Sequence, residues 1–228
     1  QSAEGLGTGI AGVAAGSALS FSYWNPAALS AIKTIEIEGV LNGFFPSVDI
    51  DPAGGGSVGI GRNALVPASY LALPINDRMT FGLSISSPFG LATRTPDNWA
   101  GQIYGRNSDI FSVNVNPMLS YRVNDMLSIG AGVQAQYFRA NLSQATGPLP
   151  GSPSATLKGD SMGVGFNLGM QLRPWTGGSI GIGYRSAISE GLEGDLSMFD
   201  TSMPAKATLR TPQLVNFGVR QELTDRFR

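Results

Sequence analysis

From about Thr34 onward, apolar and polar residues alternate with a period of two. The clearest run places Phe111, Val113, Val115, Pro117, Leu119, Tyr121 and Val123 on one side, and Ser112, Asn114, Asn116, Met118, Ser120, Arg122 and Asn124 on the other. The next segment repeats the pattern, with Leu127, Ile129, Ala131, Val133, Ala135 and Tyr137 against Ser128, Gly130, Gly132, Gln134 and Gln136. A third sets Met162, Val164, Phe166, Leu168, Met170 and Leu172 against Gly163, Gly165, Asn167, Gly169, Gln171 and Arg173. Such alternation sends successive side chains to opposite faces of a β-strand. Runs of twelve or more exceed the ~5–6 residues of an ordinary strand, and a tilted strand needs only ~9–11 to cross a bilayer. The pattern predicts eight strands, at about 33–45, 64–75, 79–93, 109–123, 126–142, 159–173, 179–196 and 207–223.

Short turn-rich junctions fall at Asn76-Asp77, Asn124-Asp125, Thr176-Gly177-Gly178 and Thr224-Asp225. Between them lie longer polar stretches, at Asp51–Asn63, Arg94–Asp109, Ser143–Lys158 and Glu193–Lys206. Short turns at one end and long loops at the other are the signature of an outer-membrane barrel. Phe111 and Tyr121 share a face ten residues apart, which projects to roughly 23 Å along the membrane normal for a strand tilted by ~45°. That matches two aromatic girdles flanking an apolar band; the competing reading is scattered aromatics on a soluble β protein.

Residues 1–32 differ in kind. They are rich in small residues (Gly5, Gly7, Gly9, Gly12, Ala14, Ala15, Gly16) and lack period two. Asn25-Pro26 followed by Ala27–Ile32 predicts a capped helical turn, with Asn accepting an orphan N–H and Pro at the first helical position. The segment reads either as a plug folded inside a barrel or as a disordered leader. Ser86-Ser87-Pro88-Phe89-Gly90 interrupts the third strand. Proline cannot donate to a ladder and glycine permits a sharp bend, so a local break in the wall is expected there. The break is either a doorway or a modest bulge near the outer rim.

Composition narrows the chemistry. Charged residues are 14% of the chain, Gly numbers 31, and hydrophobic content is only 42%. Uncharged polar residues fill the difference, as suits a polar interior within a lipid-facing wall. With a net charge of −1, nothing points to nucleic acid. The absence of Cys and His removes the Ser-His and Cys-His nucleophile pairs and the commonest metal ligand, so neither an enzyme nor a metal or cofactor is expected. No run of ~18 apolar residues exists for a transmembrane helix, and the start has no basic stretch leading into an apolar core, so any secretion signal is expected to have been removed already. Glu36 and Glu38 share a face of the first strand and read as solvated lumen groups. Gly54-Gly55-Gly56 and Gly177-Gly178 lead into no helix and make poor phosphate cradles. Inward-facing polar candidates are Asn114, Asn116, Arg122, Gln134, Gln136, Arg173, Arg185 and Arg220, groups that barrels also carry merely to wet the lumen.

The chain resembles the FadL family of outer-membrane long-chain fatty-acid transporters, which includes aromatic-hydrocarbon importers. The similarity is carried by Gly5-Leu6-Gly7 and Asn25-Pro26-Ala27, by Pro74-Ile75-Asn76-Asp77, by Ser84–Thr93, and by Tyr121-Arg122-Val123-Asn124-Asp125 and Tyr184-Arg185-Ser186. The resemblance implies a FadL-type barrel of fourteen strands with an N-terminal hatch, of which about eight strands are present and a ninth begins at Phe227-Arg228. It implies that Asn25, Pro26 and Ala27 anchor the hatch, and that Ser87, Pro88, Phe89 and Gly90 form a lateral opening. Trp99, Ile103 and Tyr104 would contribute to an outer-loop groove. Arg122, Gln134, Gln136, Arg139 and Gln144 are lumen polar candidates, with Gln144 where the family's carboxylate binders place a basic residue and Arg139 as its stand-in. The expected partners are a hydrophobic small-molecule ligand and outer-membrane lipid, for a protein that is otherwise a monomer. A general water-filled porin and a β-rich surface adhesin are the alternatives.

Overall fold

The structure is a computed structural model that describes residues 2–51, 57–97 and 99–222. It is built on an antiparallel sheet curled around the N-terminal segment. The strands are β1 (Glu36–Phe44), β2 (Asp49–Ile50), β3 (Val58–Gly59), β4 (Ala64–Pro74), β5 (Met79–Ser86), β6 (Gly90–Arg94), β7 (Asn107–Arg122), β8 (Leu127–Ala145), β9 (Ser154–Leu172), β10 (Gly178–Arg185), β11 (Ser189–Met198), β12 (Thr201–Arg210) and β13 (Leu214–Gln221). Along the sheet the order is β1-β4-β5-β7-β8-β9-β10-β13; β6 extends the wall beside β7, β11 pairs with β9 and β12, and β2 and β3 form a separate small hairpin.

Each face of the sheet has the character the alternation predicts. On the outer, convex face Val115, Leu119, Val133, Val164 and Phe217 are exposed, Val164 by 76%. On the inner face Asn114, Asn116, Ser120 and Asn167 are fully buried. A water-soluble sheet would invert this arrangement, because exposed apolar area on that scale is unfavourable in water. Among the described residues nothing packs over Val113, Val115 and Leu119, so the exposed face has the character of a lipid-facing wall.

Identical chemistry closes two of the turns. Asn76 Oδ1 accepts from the backbone N–H groups of Arg78 and Met79, and Asn124 Oδ1 accepts from those of Met126 and Leu127. Each is an Asx turn in which the side chain replaces a missing backbone partner. Between β9 and β10 the turn uses Gly177 at φ 75°, a conformation open to glycine.

Five expectations are corrected. The strand expected at 79–93 is two strands, β5 and β6, separated at Ser87–Phe89 where Pro88 cannot pair. The strand expected at 179–196 divides at Ser186–Ile188, and the one at 207–223 divides around Thr211-Pro212-Gln213. The polar stretch Glu193–Lys206 is no loop: β11 and β12 form a hairpin that turns at Phe199-Asp200, both at positive φ. The loop expected at Ser143–Lys158 is shorter, since β8 runs to Ala145 and β9 starts at Ser154. The expected turn at Thr224-Asp225, the strand start at Phe227-Arg228 and the run Gly54-Gly55-Gly56 lie outside the described residues.

Charge placed on the convex face should prevent insertion. In the full-length protein, Val115→Arg should cost ~2–4 kcal/mol for a cation near mid-bilayer. That cost should reduce the folded fraction in lipid vesicles, read as lost heat-modifiable gel mobility. Insertion equal to wild type would mean that this face does not meet lipid.

Candidate functional site on the concave face

Residues 2–32 pack against the inner face and supply most of its apolar cluster. Val13, Leu19, Phe21, Tyr23, Trp24, Leu29 and Ile32 meet Val40, Ala68, Tyr70, Ala72 and Met118 from the strands. The segment contains a short helix, Ala3–Gly7, and two 3₁₀ turns, Leu19–Tyr23 and Pro26–Ala31. Asn25 caps the second turn as its sequence predicts: its Oδ1 accepts from Ala27 N–H at 3.0 Å, with Pro26 at the first helical position. The same side chain donates from Nδ2 to Ala14 O at 2.6 Å and to Met170 O of β9 at 3.0 Å. One residue thus caps a turn, ties two parts of the segment together and anchors both to the wall. Asn25, Pro26 and Ala27 are all fully buried. The wall makes room for them, since a Cβ on Gly169 would overlap Asn25 and Pro26. Glu38 is engaged rather than solvated, accepting from Ser20 N–H at 2.9 Å.

Arg185 is a further tie between wall and segment. Its Nη1 donates to Tyr23 O at 3.0 Å, its guanidinium lies 4.1 Å from the Tyr23 ring centroid, and Nη2 donates to Asn114 Oδ1 and Gln134 Oε1. It is buried with no carboxylate paired to it among the described residues, so oriented amides and an aromatic face compensate its charge. The network continues through Asn114 Nδ2 to Gln136 Oε1, then from Gln136 Nε2 to Glu190 Oε1, whose other oxygen accepts from Ser161.

The interruption after Ser86 has a specific geometry. Ser86 pairs with Asn114 and Gly90 with Phe111, so three residues of one strand face two of β7. Ser112, whose side chain points inward, accepts from Phe89 N–H at 2.9 Å and donates to Phe89 O at 2.7 Å. A hydroxyl replaces one rung of the ladder and draws the chain toward the concave side. Ser87, Pro88 and Phe89 lie in this break, half-buried, and Gly90 opens β6. A second break uses the same device: Ile188 N–H donates to Thr211 Oγ1 at 2.9 Å, and that hydroxyl donates back to Ile188 O at 3.2 Å.

Other expected residues divide. Trp99 donates its indole N–H to Gly105 O, while Ile103 and Tyr104 are exposed in the same loop, Tyr104 by 85%. That loop is held by Gln102, unremarked in the sequence reading, which is fully buried and reaches Gly147 O and Leu149 O of the next loop. Arg122, Gln134 and Gln136 face inward. Arg139 does not: it shares parity with Val133 and Tyr137, is exposed on the convex side, and lies 5.7 Å over the Phe111 ring. Gln144 shares the parity of Gln134 and Gln136 but is exposed near the outer end of β8. Glu190, Ser112 and Thr211 were missed. Glu190 carried a signal, because in an unbroken strand its parity with Ile182 would put a carboxylate in lipid.

A curled antiparallel sheet with an apolar outside and a polar inside packed with its own N-terminal segment defines an outer-membrane β-barrel protein. The family model described as "Outer membrane protein transport protein (OMPP1/FadL/TodX)" matches residues 1–228, and the chain belongs to that family. It is 33% identical over 159 residues to the long-chain fatty acid transport protein of Escherichia coli O6:H1, covering 60% of this chain and 36% of that protein. It is 30% identical over 238 residues to the 47 kDa outer membrane protein of Pasteurella multocida, covering 96% of this chain and 55% of that one. The chain therefore spans about a third to just over half the length of these relatives. A Pseudomonas aeruginosa FadL homologue has the same fold, with a TM-score of 0.79 at 23% identity over 97% of this chain and 65% of that chain. The Pseudomonas putida toluene transporter TodX also shares the fold, with a TM-score of 0.57 at 14% identity over 89% of this chain and 61% of that chain.

Arg185→Ala would leave Asn114, Gln134 and the Tyr23 carbonyl short of a donor. At roughly 1.5–3 kcal/mol per hydrogen bond to a charged group, the full-length protein should lose several degrees of thermal midpoint by calorimetry. Arg139→Ala should lose little. Equal midpoints for the two variants would show that Arg185 does not hold the segment in place.

Proposed function

We propose that the full protein carries long-chain fatty acids or other hydrophobic compounds across the outer membrane, and that its ligands leave sideways through the wall at Ser87–Gly90. The single observation that carries this reading is the break after Ser86. It is an inward displacement of three residues, held by a serine hydroxyl, in a wall that otherwise presents apolar residues to lipid. An acyl chain gains ~0.8 kcal/mol for each CH₂ taken out of water. A path from an apolar capture site to the bilayer is therefore downhill without an energy source.

In this reading residues 1–32 are the hatch, anchored by Asn25, Pro26 and Ala27, and ligand binding loosens their contacts with the wall. Trp99, Ile103 and Tyr104 form part of the outer groove where ligand first binds. Arg122, Gln134 and Gln136 wet the lumen and hold the hatch rather than contact the acyl chain. The relatives named for fatty-acid and toluene transport support a hydrophobic ligand, and the outward turn of Arg139 favours uncharged hydrocarbons alongside carboxylates. The protein works as a monomer within outer-membrane lipid, without a catalytic step. A segment packed in the lumen argues against a general porin, and an apolar convex face argues against a surface adhesin.

Straightening the third strand tests the doorway. Pro88→Val with Gly90→Val in the full-length protein should cut uptake of labelled oleate and of a labelled aromatic hydrocarbon at least severalfold, while heat-modifiable mobility stays normal. Wild-type uptake by a folded double variant would remove the lateral route.

A further inference from the structure

At the short-turn end of the sheet, beneath the N-terminal segment, lies a cavity of about 500 Å³ that the transport reading does not use. Its walls bring together Lys33, Arg122, Arg173 and Arg220 from four separate parts of the chain, with Glu222 as the one carboxylate among the described residues that line it. Glu222 reaches Arg220 at 3.4 Å. The remaining three cations have no ion pair among the described residues. Arg122 donates from Nη2 to Ser30 O at 2.7 Å, and Lys33 donates to the same carbonyl at 3.2 Å. Arg173 donates to Gln171 Oε1 at 3.1 Å.

These contacts leave donors over. Among the described residues Arg122 Nε is buried without a hydrogen-bond partner, which costs free energy unless something in the cavity accepts from it. The cations also oppose one another. Burial first, and then the nearby Arg122 guanidinium, pull both Lys33 and Arg173 below their ordinary pKa values; Asp77 in the adjacent turn acts on Lys33 in the opposite sense. A group that accepts several hydrogen bonds and carries negative charge would relieve both problems, because charge-assisted bonds to guanidinium are the strongest of the common kinds.

We propose that this cavity is an oxyanion-binding site, for a phosphate or carboxylate group, in which the anion bridges Lys33 at the end of the N-terminal segment to Arg173 on the wall. Ala15, Ser17 and Ala31 of that segment also line the cavity, so a bound anion fastens the segment from below. The site does not depend on the doorway: an unchanged uptake in the Pro88→Val, Gly90→Val variant leaves it standing.

Titration calorimetry on the full-length protein in detergent, at low chloride, tests the proposal with inorganic phosphate and with acetate as probes. Both are too small and polar for an apolar acyl groove. Saturable binding of phosphate alone assigns a phosphoryl ligand, and binding of acetate, alone or with phosphate, assigns a carboxylate. In either case Lys33→Gln with Arg173→Gln should weaken binding roughly tenfold or more, as expected for loss of two charge-assisted contacts, and Arg220→Gln should weaken it less. Arg122 is kept because it also holds Ser30 O. The wild-type thermal midpoint supplies a check that needs no variant, and should rise with the binding anion relative to chloride at equal ionic strength. No saturable heat from either probe, or equal affinity in the double variant, overturns the site.

Discussion

Hydrocarbon offers no hydrogen bonds, so every backbone N–H and C=O in the lipid-facing wall must find its partner inside the protein. The long antiparallel pairing of β7, β8 and β9 meets that demand over most of the sheet. It also explains how the wall can be interrupted. Where the chain between β5 and β6 leaves the ladder, Ser112 supplies both an acceptor and a donor to Phe89. Where β10 gives way to β11, Thr211 does the same for Ile188. A hydroxyl can do this because it donates and accepts from one atom. The interruptions are built features, with the lost rung replaced at each.

The same constraint decides what fills the interior. With the apolar residues of the strands committed to lipid, they cannot form a core. The N-terminal segment supplies one instead, bringing Phe21, Tyr23, Trp24 and Leu29 to the few inward apolar positions at Val40, Tyr70 and Met118. Its backbone carbonyls then need donors, and the wall provides them. Arg185 reaches Tyr23 O, Gln171 reaches Ala15 O and Gly16 O, Ser179 reaches Ala15 O, and Arg122 reaches Ser30 O. The polar face of the sheet is thus largely a set of partners for one short stretch of chain. That stretch is held by many hydrogen bonds around a modest apolar cluster, a balance that suits the proposed hatch, which must loosen without unfolding the wall.

Much of this could be read from residues alone, because period-two alternation reports directly which side of a strand meets lipid. The faces of β7, β8 and β9, the Asn turns, the Asn25 cap and the break at Pro88 all follow from local chemistry. What escaped reading was set by pairing between distant segments. Nothing near Ser186 announces that Thr211 will replace a rung for Ile188. The hairpin at Phe199-Asp200 carries no glycine to mark it, and polar residues around Glu193 concealed the alternation of Leu192, Leu196 and Met198. Arg139 was misplaced by counting from a family position rather than from its own parity with Val133 and Tyr137.

Parity also explains how the second break differs from the first. Each break inserts one extra residue and so turns later side chains to the opposite face. After Ser86 the slip leaves Gly90 opposite Phe111 on the outer face, with no side chain to cover the gap. After Arg185 the slip carries Ile188 and Glu190 inward, over Gly163 and Gly165, which have no Cβ to obstruct them. Ile188 is buried and Glu190 is bound by Gln136 and Ser161. The two sites share a backbone device but not an outcome: one exposes a glycine where wall should be, and the other is filled by its own side chains. Whether a hydroxyl-stapled break can pass a ligand is thus decided by the residues that follow it, which makes Gly90 as important to the proposed doorway as Pro88.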